Sequence, residues 1–163
     1  MMDYVRAAFI FHCIMRLWAT AIVSFCMSVF SALAVDTFVS DRIPVLGSFA
    51  GIVRTQNPGI AFGINMPPII QTLLIGAAVI ALTVAAVRSA KTHWQQIGFG
   101  LIIGGALGNI ADRLPDGSVT DFFQVGSFYI FNMADSCITV GVVVLLIEIF
   151  SVHFYTHTSK SLE

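Results

Sequence analysis

Four stretches of this chain, residues 17–35, 69–87, 94–111 and 133–155, are apolar and carry only two charges between them, Asp135 at the start of the last and Glu148. Nothing else constrains the fold as strongly. Each is close to the ~20 residues that a helix needs to cross the hydrocarbon of a bilayer. Within that layer a segment must satisfy its own backbone groups, so runs of this kind are helical. The composition agrees: 57% of residues are hydrophobic and 10% are charged, against about 25% charged in an ordinary soluble domain. The expectation is an all-α membrane protein, one embedded domain over residues 1–163 built as a four-helix bundle. A net charge of −1 with eight Lys plus Arg leaves no basic patch, so nucleic acid is not an expected partner. Cys13, Cys26 and Cys137 are odd in number and lie far apart in apolar runs. They read as small buried hydrophobes, not as a disulfide framework or a metal site.

Residues 1–16 mix Asp3, Arg6, His12 and Arg16 with apolar residues and are expected to form an interfacial lead-in. The first run ends on Ser31-Ala32-Leu33-Ala34, small residues that resemble the end of a cleaved signal peptide. The run is longer than most signal cores, which favours an uncleaved first span. Residues 36–68 cannot span, because Asp36, Asp41, Arg42 and Arg54 punctuate them and four prolines break helical continuity. Ile43-Pro44-Val45-Leu46 and Ile52-Val53-Arg54-Thr55 read as strands of a small sheet on the membrane surface. Asn57-Pro58-Gly59 suits a type II turn.

Arg88, Lys91 and His93 make a short basic connection to the third span. There Gly100, Gly104 and Gly108 recur every four residues, a packing stripe that lets a neighbouring helix approach. Residues 112–132 form the second loop, and the polar tail 156–163 is expected to fray. Four spans put both termini on one side. Arg6, Arg16, Arg88, Lys91 and Lys160 lie on that side, against Arg42, Arg54 and Arg113 on the other. The excess of positive charge assigns the termini to the cytoplasm and both longer loops to the outer face. Glu148 then lies near the cytoplasmic interface.

Residues 104–137 hold Asp112, Asp116, Asp121 and Asp135 between two apolar runs, and ionisable groups at membrane depth are costly and tend to be functional. Asn132 followed by Asp135 has the spacing of a capping box, so Asp135 is placed at a helix N-terminus. There a carboxylate is favoured in its charged form. Asp121 follows a Pro-Asp-Gly turn and sits in a β-type run beside Phe122 and Phe123. By itself it reads equally well as a solvated loop acid or as a functional one. Asp116 is a turn residue. Asn109, Asp112 and Arg113 can share one helix face, with Arg113 either in an ion pair with Asp112 or offered to a substrate backbone.

Four blocks together are more specific: Asn57-Pro58-Gly59-Ile60-Ala61-Phe62, then residues 104–113 (GGALGNIADR), then Val119-Thr120-Asp121-Phe122, then Phe131-Asn132-Met133-Ala134-Asp135. In order and spacing they resemble the signature blocks of lipoprotein signal peptidase, or signal peptidase II, over residues 40–150. The resemblance implies a bacterial, multi-pass, inner-membrane aspartic peptidase with four spans and its site near the extracytoplasmic face. It implies removal of signal peptides from diacylglyceryl-modified prolipoproteins, just before the lipidated cysteine. The acids matching the catalytic pair are Asp121 and Asp135. Asn57, Gly59, Phe62, Asn109, Asp112, Arg113 and Asn132 match substrate-lining or supporting positions. No cofactor or metal is implied, and the partners are lipidated prolipoprotein signal peptides and membrane lipids, acting on a monomer. The chain departs from the family in its first span, where an Asp and then a Lys are usual. Those positions fall near Cys26 and Phe30, and the next acid is Asp36.

Two carboxylates ~3 Å apart cannot both ionise and share one proton, as in aspartic proteases. Asp135 is expected to be the charged member and Asp121 the protonated one. Two other classes stay open: an inactive substrate-binding relative, and a transporter that uses intramembrane carboxylates.

Overall fold

The computed structural model describes residues 2–59 and 67–160, with side-chain surroundings described over 15–59, 67 and 69–151. Four helices, α1 (Met2–Phe38), α2 (Pro68–Ser89), α3 (His93–Arg113) and α4 (Met133–Lys160), carry most of the chain. Three strands, β1 (Ile43–Leu46), β2 (Ala50–Asn57) and β3 (Val119–Val125), form one antiparallel sheet in the order β1-β2-β3. The protein is thus mostly helical with a small three-stranded sheet.

Two boundaries differ from the expectation. Residues 2–16 are no separate lead-in, because α1 runs unbroken from Met2 to Phe38. Its sequence contains neither Gly nor Pro, so nothing interrupts the hydrogen-bond ladder. At the other end, α4 continues to Lys160 through part of the tail expected to fray. Proline at its first turn starts α2, where a missing N–H costs nothing. A capping box starts α3: the Thr92 side chain accepts from Gln95 N, and the Gln95 side chain accepts in turn from Thr92 N.

Three helical segments are long and apolar enough to cross a membrane: Met15–Phe38, Ile69–Ser89 and Met133–Ser151. Among the described residues α3 is not one of them, although it is 21 residues long. Its buried positions explain the lower hydropathy, since they are largely glycine with Gln96 and Arg113. A Cβ at Gly104 would strike the Ala21 carbonyl and lie 2.7 Å from Ser24 Cβ on α1. One at Gly105 would lie 2.6 Å from the Ala134 carbonyl on α4. Bare backbone on two faces therefore lets α1 and α4 close on α3 from both sides, as small residues do between membrane helices. The Ser24 hydroxyl, donating to the Leu101 carbonyl at 3.1 Å, adds a polar tie between α1 and α3. Leu17, Ala21, Ala86 and Ile103 form the core where α1, α2 and α3 meet.

A second core joins the sheet to the helices. Val35 and Val39 at the end of α1 pack on Phe122 of β3, with Ile52, Phe123 and Met133 around them. Strand β2 pairs with β3 so that Thr55 faces Asp121 and Asn57 faces Val119. This register brings the end of β2, the start of β3, the end of α3 and the start of α4 to one place.

Candidate active site

Asp121 is carried by the strand that the second core buries. Its alternation puts Phe122 on the α1 side, and Asp121 itself is only 4% exposed. Both carboxylate oxygens are hydrogen-bonded. Asn57 Nδ2 donates to Oδ2 at 2.8 Å, and Asn132 Nδ2 donates to Oδ1 at 2.9 Å. Burial nevertheless prevails: loss of water around the charge pushes the Asp121 carboxyl up to about 6, against the lowering effect of its bonds from Asn57 and Asn132. The nearby charge of Asp135 also raises it.

Asp135 is carried by the first turn of α4. Its backbone N–H donates to Asn132 Oδ1 at 2.9 Å, and the N–H of Asn132 donates back to Asp135 Oδ2 at 3.4 Å. This is the reciprocal capping box that the spacing of Asn132 and Asp135 predicts, with Asp in the place of the usual Glu or Gln. The other oxygen, Oδ1, accepts from Asn109 Nδ2 at 3.0 Å. Asn132 Nδ2 in turn donates to Asn109 Oδ1 at 3.0 Å. The two acids are therefore the ends of one chain of hydrogen bonds, Asp121–Asn132–Asn109–Asp135, that draws on β3, α4 and α3. Asn132 spends both amide hydrogens and its oxygen within it and is buried. A fully used amide holds a single orientation, which fixes how the two carboxylates face one another.

The supporting residues divide by what they touch. Asp112 does not pair with Arg113. Its Oδ2 accepts the Thr120 N–H at 2.6 Å and so pins β3 immediately before Asp121. Arg113 is buried and donates from Nη2 to the Gly59 carbonyl at 3.2 Å. Its Nε and Nη1 find no partner among the described residues, while its charge is felt by Asp112, Asp121 and Asp135. The Asn57–Gly59 bend is closed by a side chain, with Gly59 N donating to Asn57 Oδ1 at 2.9 Å. This Asx-type closure is a contact that the type II expectation does not contain. Phe62 lies outside the described residues. Asp116 stays at the surface in its turn, where bonds from the Ser118 N–H and hydroxyl hold its carboxyl below the usual range.

Sequence reasoning missed several contributors. Gln71 of α2 donates to the Pro58 carbonyl at 3.1 Å, tying the bend to a helix. A lone amide in a charge-free run was the available signal. Asp36 pairs with Arg54 at 2.5 Å. It also accepts from Gln56 Nε2 at 3.4 Å, and the same nitrogen lies 3.3 Å from Thr120 Oγ1. The C-terminal end of α1 is thus tied to β2 and β3 by Asp36. The family's usual first-span positions contribute no such tie here, since Phe30 faces outward at 68% exposure and Cys26 is a free thiol. Among the described residues no three His, Cys, Asp or Glu side chains are grouped to hold a metal ion.

What this arrangement can do is acid–base chemistry on a bound molecule. One carboxyl exchanges its proton near neutral pH, and a second carboxylate stands at the other end of a fixed amide bridge. A family model described as signal peptidase II matches residues 8–151. A lipoprotein signal peptidase of Trichormus variabilis is 33% identical over 136 residues, covering 80% of this chain and 86% of that protein. One of Dehalococcoides mccartyi is 39% identical over 127 residues, covering 73% and 78%. A bacterial membrane enzyme solved by the in meso method at 1.9 Å superposes with a TM-score of 0.73 at 29% identity, covering 80% of this chain and 90% of that one.

Proposed function

Because the chain belongs to the signal peptidase II family, a family of membrane peptidases, we propose that it removes signal peptides from lipid-modified bacterial prolipoproteins by aspartic catalysis. Asp121 and Asp135 are the catalytic residues. The observation that carries this reading is the Asn132–Asn109 bridge, which holds two acids in different environments at one site. Asp121, buried and raised to about 6, is the protonated member and donates to the scissile carbonyl oxygen. Asp135, at the positive end of α4, is the charged member and takes a proton from the attacking water. The water oxygen bonds to the carbonyl carbon, and the resulting tetrahedral species collapses as the C–N bond breaks. The proton held by Asp135 goes to the departing amine, and a hydroxyl proton of the collapsing species returns to Asp121. The products are a free signal-peptide carboxylate and a new N-terminal amine on the lipidated cysteine.

Asn57, Gly59, Phe62, Asn109, Asp112, Arg113 and Asn132 line or support the substrate path. Arg113, with donors left over after its bond to Gly59, is suited to a carbonyl or ester oxygen of substrate. All four helices cross the membrane in this reading. The bundle shelters α3, which explains how that helix tolerates so many glycines. Both termini are cytoplasmic, and the sheet with both acids stands at the outer face of the inner membrane.

The test is cleavage of two synthetic prolipoprotein peptides that differ only in diacylglyceryl modification of the cysteine. The expected result is cleavage of the lipidated peptide alone, with mass spectrometry placing the modified cysteine first in the product. Equal cleavage of both peptides removes the lipoprotein assignment. Cleavage of neither by folded protein identifies an inactive binding relative.

A further inference from the structure

The far end of the sheet, opposite the two acids, is apolar and uncovered. Leu46, Phe49, Phe128 and Tyr129 are 66%, 61%, 71% and 77% exposed. They come from the β1–β2 hairpin and from the turn after β3, which are joined where Gly126 N donates to the Phe49 carbonyl at 2.6 Å. The Phe49 ring lies against Gly126, whose φ of 54° and lack of a Cβ leave room for it. From this tip an aromatic ladder leads inward. Phe128 meets Phe131 edge to face at 6.5 Å between ring centres, Phe131 meets Phe123 at 5.6 Å, and Phe123 meets Phe122 at 4.6 Å, next to α1.

The one charged side chain held at the tip is Arg42, with Asp41 next to it in sequence, and Arg54 further along β2 is paired with Asp36. Arg42 is held at the tip by Gln124 Oε1 at 2.7 Å and by the Gly47 and Ser48 carbonyls at 3.3 and 3.1 Å. Aromatic and apolar side chains beside a fixed cation suit the boundary between headgroups and acyl chains. Water does not suit them, since a soluble surface seldom leaves such a patch open.

We propose that this tip is a lipid-anchoring surface. Leu46, Phe49, Phe128 and Tyr129 enter the headgroup–acyl boundary of the leaflet at the site's end of the helices, with Arg42 at the phosphate level. The aromatic ladder then links the tip to the buried packing of Phe122 against the end of α1. The anchor fixes the height of β3, and so of Asp121, relative to the membrane surface. It rests on the reading that the helices span and the sheet lies at one membrane face, and it does not require any particular reaction.

The test places a tryptophan at the tip. Tyr129→Trp, and separately Phe128→Trp, are made with Trp18→Phe and Trp94→Phe, folding being checked by circular dichroism. Each is reconstituted in nanodiscs of phosphatidylcholine and phosphatidylglycerol, with or without bromine on the acyl carbons nearest the headgroup. The expected result is a loss of tryptophan emission in the brominated discs for both variants. Undiminished emission for both puts the tip in water and overturns the proposal. Undiminished emission with copy-to-copy crosslinking through Leu46→Cys identifies a second chain as the occupant, and overturns it equally. No substrate enters the measurement, so its outcome is separate from that of the cleavage assay.

Discussion

Asp121 owes its properties to residues distant in sequence. Phe122 and Phe123 announce an apolar setting, but a loop acid next to two phenylalanines is as easily solvated as buried. Its burial comes from pairing with β2 and from packing under α1, and its two donors come from Asn57 and Asn132. None of these contacts is local, so a reading of the residues by themselves left Asp121 undecided and the family resemblance singled it out. The raised carboxyl has a consequence for pH. Folding lifts it from 3.8 to about 6, so the stability this group contributes is complete below pH 3.8 and is lost as pH rises through about 6. In the proposed mechanism its proton serves the carbonyl oxygen, so kcat/KM should fall on the alkaline side through the same region. Because Asp121 and Asp135 interact, the limb reports the pair. Asn57 donates to the ionised carboxylate, so Asn57→Ala should move that limb to higher pH. A pH profile of kcat/KM for both proteins checks the sign, and a limb moving to lower pH contradicts it.

At the level of elements, the apolar runs announced the helices and the Asn-x-x-Asp spacing announced the start of α4. The same spacing concealed the second duty of Asn132. Capping uses its side-chain oxygen, whereas its two amide hydrogens reach β3 and α3, and only the packing of α3 against α4 brings Asn109 within reach. Asn132→Ser separates the two duties, because serine caps a helix well but has no amide to give. The thermal midpoint of this variant should stay near that of the parent while kcat falls about 10²-fold from lost positioning. A parallel fall in both means that Asn132 acts only as a cap. The glycine stripe was legible as packing, but its partners were not. Gly104→Ala would push a methyl into the Ala21 carbonyl and Ser24, an overpacking that typically costs about 1–3 kcal/mol. Thermal unfolding in detergent should show the loss. Gly76, with open space at its Cβ position, serves as the neutral control.

For the molecule as a whole, the helices were more legible than their placement. Long apolar runs give three helices that can cross a membrane by their own composition. The composition of α3 alone falls short of a span, because glycine stands where α1 and α4 close on it; in the proposed topology those neighbours shelter it. Enzymatic reporters fused at the N-terminus and after residue 163 should both report the cytoplasm; opposite sides would mean an odd number of crossings. The sheet, the end of α3 and the start of α4 converge on Asp121 and Asp135, which the proposed topology puts at the outer face. That convergence predicts that neither acid suffices alone. The direct measurement is cleavage of a lipidated prolipoprotein peptide by purified Asp121→Asn and Asp135→Asn proteins, each confirmed as folded. Loss of one acid–base partner should lower kcat by at least roughly 10²–10⁴-fold in both, whereas full cleavage by either variant would contradict the paired-aspartate mechanism.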